Sequence, residues 1–262
     1  MHDCELELLI VLCHEKPPKV VSNFWGSVHT DHLDFDVLPG EVHAVIGPNG
    51  AGKTTFISQL IGELQPDEGV ILFDGADITR LPVHRRALAG MARSYQITSI
   101  LPDLTVLQNV MLAVQARRGH SFRFWARAAL DQDLIAPARA ALELVGLGGE
   151  LDTLARNLGH GACRQLELAV VLAMKPKMLL LDEPMAGMSP QESAEMTQLL
   201  LKLKGSVSIV LIEHDLNSVF TLADRITVLV YGRAISTGSL DQVRADPEVQ
   251  AAYLGEEETL DA

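Results

Sequence analysis

Nine consecutive residues, GPNGAGKTT at 47–55, concentrate the means to hold a polyphosphate. Gly47, Gly50 and Gly52 let the backbone turn its amides inward, with Pro48, Asn49 and Ala51 filling the loop between them. Lys53 adds a point charge, the Thr54 hydroxyl is a ligand type suited to Mg²⁺, and Thr55 continues into a helix whose N-terminus supplies a further positive end. The pattern G-x-x-x-x-G-K-[ST] carries this chemistry where a strand precedes it and a helix follows. VHAVI stands before it and TTFISQLIGEL, 54–64, follows with helical spacing, so binding of a nucleoside triphosphate is expected.

A second constellation ends the apolar run MLLLDEP at 178–184. Asp182, at the end of a buried strand, can hold Mg²⁺ through water, while Glu183 is placed to orient and deprotonate an attacking water. A carboxylate at 183, where an amide would bind without activating, argues for hydrolysis as well as binding.

These residues need a scaffold, and the chain has the length and composition for one. At 262 residues with 48% hydrophobic content it can bury a large core, as one domain or as two lobes sharing a nucleotide site. A net charge of −13 repels nucleic acid and anionic lipid alike. Cys4, Cys13 and Cys163 make no CxxC pair, which suits a reducing compartment. LLIVLC at 8–13 follows three acidic residues and is too short to span a bilayer, so any membrane association is expected to run through another protein.

Strands are expected at LDFDV and VHAVI around the turn LPGE, and again at VILFDG, with PDEG (66–69) stopping the intervening helix. Residues 1–19 are expected to form an edge strand or an irregular arm. From 103 to 157 the chain turns rich in Ala, Leu and Arg at helical spacing, a separate helical lobe. MLLL, VSIVLI and RITVLV then alternate with helical patterns, which indicates a parallel sheet covered on both faces. The fold class is therefore α/β.

Four further elements narrow the class: Gln96 in RSYQ, the helix opening LGHG at 158–161, SP at 189–190 after DEPMAGM, and His214 in LIEHD. In this order they resemble the ATP-binding subunits of ABC transporters over nearly the whole chain, and no NKxD motif for a guanine base is present. Within that family, RSYQITSILPDLTVLQNVMLAVQ, RQLELAVVLAMKPKMLLLDEPMAGMSP and PEVQAAYLGEE are similar to the subunits of branched-chain amino-acid importers.

The resemblance implies a P-loop NTPase core of mostly parallel sheet with an antiparallel β subdomain and an inserted helical subdomain. One domain, 1–262, would divide into a nucleotide-binding lobe (20–97 and 158–240), a helical subdomain (98–157) and a C-terminal extension (241–262). It also implies ATP with Mg²⁺. Gln96 would touch the metal and the attacking water, His214 the γ-phosphate, and Phe24 the adenine ring, with Trp25 the alternative stacking ring.

The implied partners are a second ABC ATPase subunit, two membrane permeases and an extracytoplasmic solute-binding protein, with no nucleic acid. The chain would sit peripherally at the cytoplasmic face of the inner membrane. Another cargo such as urea or amides, an export substrate, and a soluble single-cassette regulator are the rival readings. A subunit that binds nucleotide but barely hydrolyses is a further one.

Two departures mark this sequence. The family's helix opening reads LSGGQ or LSHGEQ, whereas Gly159 stands here in place of the serine, followed by His160, Gly161, Ala162 and Cys163. Two subunits of this family sandwich two ATPs, so Gly159 and Gly161 would serve the partner's ATP with one hydroxyl donor fewer. The expectation is a softened grip through the Gly161 amide and the helix dipole. Ser189 also replaces the usual aspartate of the loop after the carboxylate pair, and His29 and His32 form an HxxH read as surface histidines.

Overall fold

The computed structural model describes residues 9–12, 30–94, 100–118 and 131–257, with side chains described over 30–94, 100–118 and 131–252. Phe24, Trp25, His29 and Gln96 lie outside the described residues.

Two sheets carry the fold. The first is antiparallel, in the order β2 (Phe35–Val37), β1 (Leu9–Leu12), β4 (Val70–Phe73), β5 (Ala76–Asp77). The arm expected at an edge is instead interior: β1 pairs β2 on one side and β4 on the other. A strand that satisfies its ladder on both sides is set by residues far along the chain, which the local pattern of 1–19 does not show.

The second sheet has six strands, ordered β10 (Arg233–Gly238), β9 (Arg225–Val230), β3 (Val42–Ile46), β8 (Ser208–Ile212), β7 (Met178–Asp182), β6 (Met91–Ser94). All its pairings are parallel except the β9–β10 hairpin. Every residue of β3, β7 and β8 is buried, as a sheet covered on both faces requires.

Alternate side chains of these strands enter different cores. Met178 and Leu180 join Val45, Val210 and Ile212 against α1 (Lys53–Ile61) and the antiparallel sheet. Leu179 and Leu181 join Ile209 and Leu211 against α3 (Val106–Arg118), α4 (Gln132–Leu144), α5 (His160–Ala173) and α6 (Pro190–Leu203). Ala44, Ile46 and Val228 pack with α7 (Leu216–Leu222), α8 (Leu240–Ala245) and α9 (Pro247–Glu257). The remaining helix, α2 (Val83–Ala89), lies beside α1 and β6.

The helix expected over 54–64 stops three residues early, at Ile61. Gly62 adopts φ 89°, a left-handed cap that returns its N–H to Gln59 and Ser58. Arg86, fully buried, then donates to the carbonyls of Gln59 and Leu60 at 2.6 Å, Thr79 at 2.7 Å and Leu81 at 3.0 Å. The C-terminal end of α1 is thereby fixed by a guanidinium that also complements its negative dipole end.

The caps at the other helix starts divide into two kinds. Asp131, Ser189, Asp215 and Ser239 cap α4, α6, α7 and α8 with their side chains. By contrast α1 and α5 open on Gly52 and Gly159 with no side-chain cap, and α2 on Pro82 likewise.

One buried polar group gives the fold a pH signature. His43, 0% exposed in β3, sits between the Asp36 carbonyl at 2.9 Å and the Thr227 hydroxyl at 2.8 Å. The carbonyl accepts, so Nδ1 carries the proton and Nε2 accepts from Thr227. Burial, and then the nearby Arg225 charge, push its pKa from 6.5 to about 4. The native state therefore binds fewer protons than the unfolded chain between those values, and this contribution to stability is lost as pH falls through that window.

Urea unfolding should show it: relative to His43→Gln, the parent chain loses stability from pH 6.5 to 4.5 by up to about 1.4 kcal/mol per pH unit. Parallel curves for the two proteins would mean that His43 is not held neutral.

Candidate active site

The strand β3 runs directly into the phosphate loop. A Cβ built on Gly47 would lie 2.1 Å from the Leu229 carbonyl oxygen, so only glycine lets the loop press against β9. From the turn at the same end of that hairpin Gly232 donates to the Ala51 carbonyl at 2.8 Å. The loop is thus held from behind, while Asn49 and Gly50 are exposed in front.

No acidic residue occupies the first turn of α1, and Gly52 offers its opening amides no side-chain cap. Such a helix start is a binding site for an anion. Lys53 is 7% exposed and folds back on the loop, its ammonium 2.6 Å from the Gly47 carbonyl and 2.9 Å from that of Pro48. Thr54 is exposed and Thr55 half-buried beside it. The loop thus holds its cation against its own carbonyls, with the Ala51 N–H turned to the Pro48 carbonyl at 3.2 Å.

Sheet register delivers the other groups to the same edge. Val45 pairs Ile212 in β8, and Ile212 pairs Asp182 in β7. Asp182 is buried and receives a bond of 2.9 Å from Arg93 of β6, whose other nitrogen reaches Glu63 at 2.8 Å. Glu183 follows with φ 50°, an uncommon conformation for a residue with a side chain. Its N–H is bound to the Ile212 carbonyl at 2.9 Å, which holds the turn against β8. Strain of this kind concentrates where geometry matters for function.

The Glu183 carboxylate meets His214 at 2.9 Å through Nε2. His214 also lines a cavity of ≈ 130 Å³ with Gly47, Pro48, Asn49 and Glu213, which puts it across from the phosphate loop. Both groups remain partly exposed, at 47% for the His214 side chain and 28% for that of Glu183, so a reacting phosphate and water can reach them.

Behind them Glu213 is buried, with Met185 N–H on Oε1 at 2.9 Å and His214 N–H on Oε2 at 3.0 Å. Burial pushes its carboxyl above the ordinary range, against the opposing effect of the amides it accepts from. This one carboxylate ties the loop after β7 to the loop after β8. Glu183 and His214 are positioned together for that reason.

The opening of α5 is a separate place. Gly159 takes φ −70° as the first residue before the helix, and nothing lies within 4 Å of a Cβ built on it. Gly161 N–H, expected to be free for a phosphate, instead donates to Glu192 Oε1 of α6 at 3.0 Å. This corrects the picture of an open amide. Ser189, the departure from aspartate, caps α6 in a box with the same Glu192. The Cys163 thiol lies a long 3.9 Å from the Leu158 carbonyl, and burial raises its pKa.

The structure therefore gathers Gly47–Lys53, Asp182, Glu183 and His214 at one sheet edge, and sets Gly159 and Gly161 apart on α5. Sequence reasoning passed over Arg93, Glu213 and Glu192. Arg93 stood inside the quoted RSYQ and Glu213 inside LIEHD, while Glu192 had a readable signal in S-x-x-E before an apolar run. Thr54 and Asp182 supply a hydroxyl and a carboxylate, the oxygen donors that Mg²⁺ takes together with phosphate oxygens.

Comparison with known proteins agrees with this geometry. The family model described as ABC transporter matches residues 30–186, and that described as branched-chain amino acid ATP-binding cassette transporter matches 235–259. The chain is 34% identical to the high-affinity branched-chain amino acid transport ATP-binding protein LivG of Escherichia coli K12, over 90% of this chain and 96% of that protein. It is 34% identical to BraF of Pseudomonas aeruginosa, with the same transport description, over 89% and 94%. Among solved structures, an ATP-binding cassette of an ABC transporter in its ADP conformation superposes with TM-score 0.81 at 28% identity, covering 95% and 99%. A nucleotide-free cassette gives 0.79 at 26%, with the same coverage.

The Arg93–Asp182 pair can be tested by itself. Arg93→Met leaves the buried carboxylate without this cation and should cost about 3 kcal/mol in urea unfolding without nucleotide, much of it restored by adding Asp182→Asn. A loss below about 1 kcal/mol would show the pair to be inconsequential.

Proposed function

The chain belongs to the ABC transporter ATP-binding family, and from that premise we propose that it is the ATP-hydrolysing subunit of an importer for branched-chain amino acids or similar small amino-acid and amide solutes. For hydrolysis, the carrying observation is the Glu183–His214 contact of 2.9 Å at the same edge as the phosphate loop. For the cargo, the support is the match over 235–259 and the descriptions of the LivG and BraF proteins. No helix among the described residues is long and apolar enough to cross a membrane, so the transport path belongs to permease partners. Two such permeases, a second ATPase subunit and an extracytoplasmic binding protein complete the proposed assembly, with this chain on its cytoplasmic face.

In this reading the triphosphate lies on the amides of 47–54, and Lys53 exchanges its loop carbonyls for phosphate oxygens. Mg²⁺, held by Thr54, Asp182 and Gln96, supplies charge neutralisation when bound. Glu183 accepts the proton of the attacking water, its backbone fixed against Ile212. His214, whose Nε2 lies 2.9 Å from Glu183, contacts the γ-phosphate from the same edge. Phe24 takes the base. The permeases dock near Gln96 and the segment following it, and closure follows because ATP binds the closed dimer better than the open one.

Two outcomes test this. Glu183→Gln should bind ATP and accumulate a dimer in sedimentation while phosphate release drops at least about 100-fold; release at the parent's rate would remove Glu183 from the chemistry. Gly159→Ser fits the extended φ and empty surroundings of that position, so it should stabilise the chain by a few tenths of a kcal/mol and lower the ATP concentration needed for the dimer. An unchanged ATP requirement would mean that the missing hydroxyl plays no part in closure.

A further inference from the structure

The carboxylate of Glu192 bridges two helix openings. Its Oε1 accepts from the Gly161 N–H of α5 at 3.0 Å, and its Oε2 accepts from the N–H and hydroxyl of Ser189 at 2.9 and 2.7 Å. The Ser189 amide and hydroxyl hold this carboxyl below the ordinary glutamate range, with the Gly161 amide adding to the effect. It is an anion at neutral pH.

The seat is close-fitting. A Cβ built on Gly161 would come within 2.5 Å of Glu192 Oε1, so the absence of a side chain there is what admits the carboxylate. Gly159, lacking a hydroxyl, gives α5 no cap of its own, and Glu192 supplies the missing acceptor from another helix. His160 completes the cluster, its ring 3.5 Å from a Cβ built on Gly187 in the loop that leads to α6.

Under the sandwich reading proposed above, on which this inference rests, the Gly161 amide is a donor that the partner subunit's ATP must use. One N–H cannot serve a carboxylate and a phosphate at once, and two anions at one helix opening repel. We propose that Glu192 is a positioning residue for closure: it occupies the α5 opening in the open subunit and must release Gly161 before the partner's γ-phosphate can engage. Its bonds to Ser189 keep the side chain anchored on α6 during that release, so the exchange breaks one contact and leaves the cap of α6 intact. The loop from Glu183 to Ser189 ends at this cap, and release at 192 is thereby adjacent in the chain to the hydrolytic carboxylate.

Glu192→Gln separates the two roles, because glutamine also completes a capping box while carrying no charge. In a Glu183→Gln background, sedimentation across a range of Mg·ATP should show half-maximal dimer at about five- to tenfold lower ATP, the ratio expected when a charge-assisted acceptor becomes a neutral one. The thermal unfolding midpoint of the monomer should fall by about 2 to 4 °C, since the same contact is weakened there, and hydrogen exchange at the Gly161 amide should accelerate several-fold. An ATP requirement that stays the same or rises overturns the gate while leaving the sandwich reading standing. Unchanged exchange at Gly161 removes the contact itself. If ATP drives no association of the Glu183→Gln parent, the sandwich reading fails and the gate with it.

Discussion

The hydrogen-bonded register of three parallel strands sets everything else in this molecule. Val45, Ile212 and Asp182 lie in one row across β3, β8 and β7. Each strand then leaves the sheet at the same edge, where β3 delivers the phosphate loop, β7 delivers Glu183 and β8 delivers His214. A slip of one residue in either pairing would reverse which side chains face each core, and the burial of every residue in these strands makes that slip costly. The chemistry at the edge is as well placed as the cores on either side are well packed.

Around that edge, charge is handled by local partners. Arg93 meets Asp182 and Glu63, Glu213 gathers backbone amides, and His214 meets Glu183. The two helices assigned to phosphate both open on glycine without a side-chain cap, yet they are not equivalent. The amides of α1 have no acidic residue in their first turn, whereas the Gly161 amide of α5 is met by Glu192. In the proposed assembly one opening takes its own nucleotide, and the other stays guarded until a partner arrives.

Much of this was readable from the residues. GPNGAGKTT and MLLLDEP carry their geometry within a few consecutive positions, so a strand, loop and helix around Lys53 and a strand ending at Asp182 follow from local pattern. What escaped was long-range. Arg93 and Asp182 are 89 residues apart, Gly161 and Glu192 are 31, and Met185 and Glu213 are 28, and nothing in the local sequence pairs them. The same reason hid the interior position of β1, whose partners lie in β2 and β4. The early end of α1 was different, since Gly62 and its left-handed cap stood in the sequence within a run whose apolar spacing continued past it.

One sheet edge and one guarded helix opening, from two ATPase subunits, are proposed to enclose the γ-phosphate. A crystal structure of the Glu183→Gln variant grown with ATP and Mg²⁺ tests it most directly. The γ-phosphate should lie between Lys53 and His214 of one subunit, bonded to Gly161 of the other, with Glu192 turned away from that amide and still bound to Ser189. Nucleotide bound away from Lys53, or a carboxylate still seated on Gly161 in a closed dimer, would contradict the account.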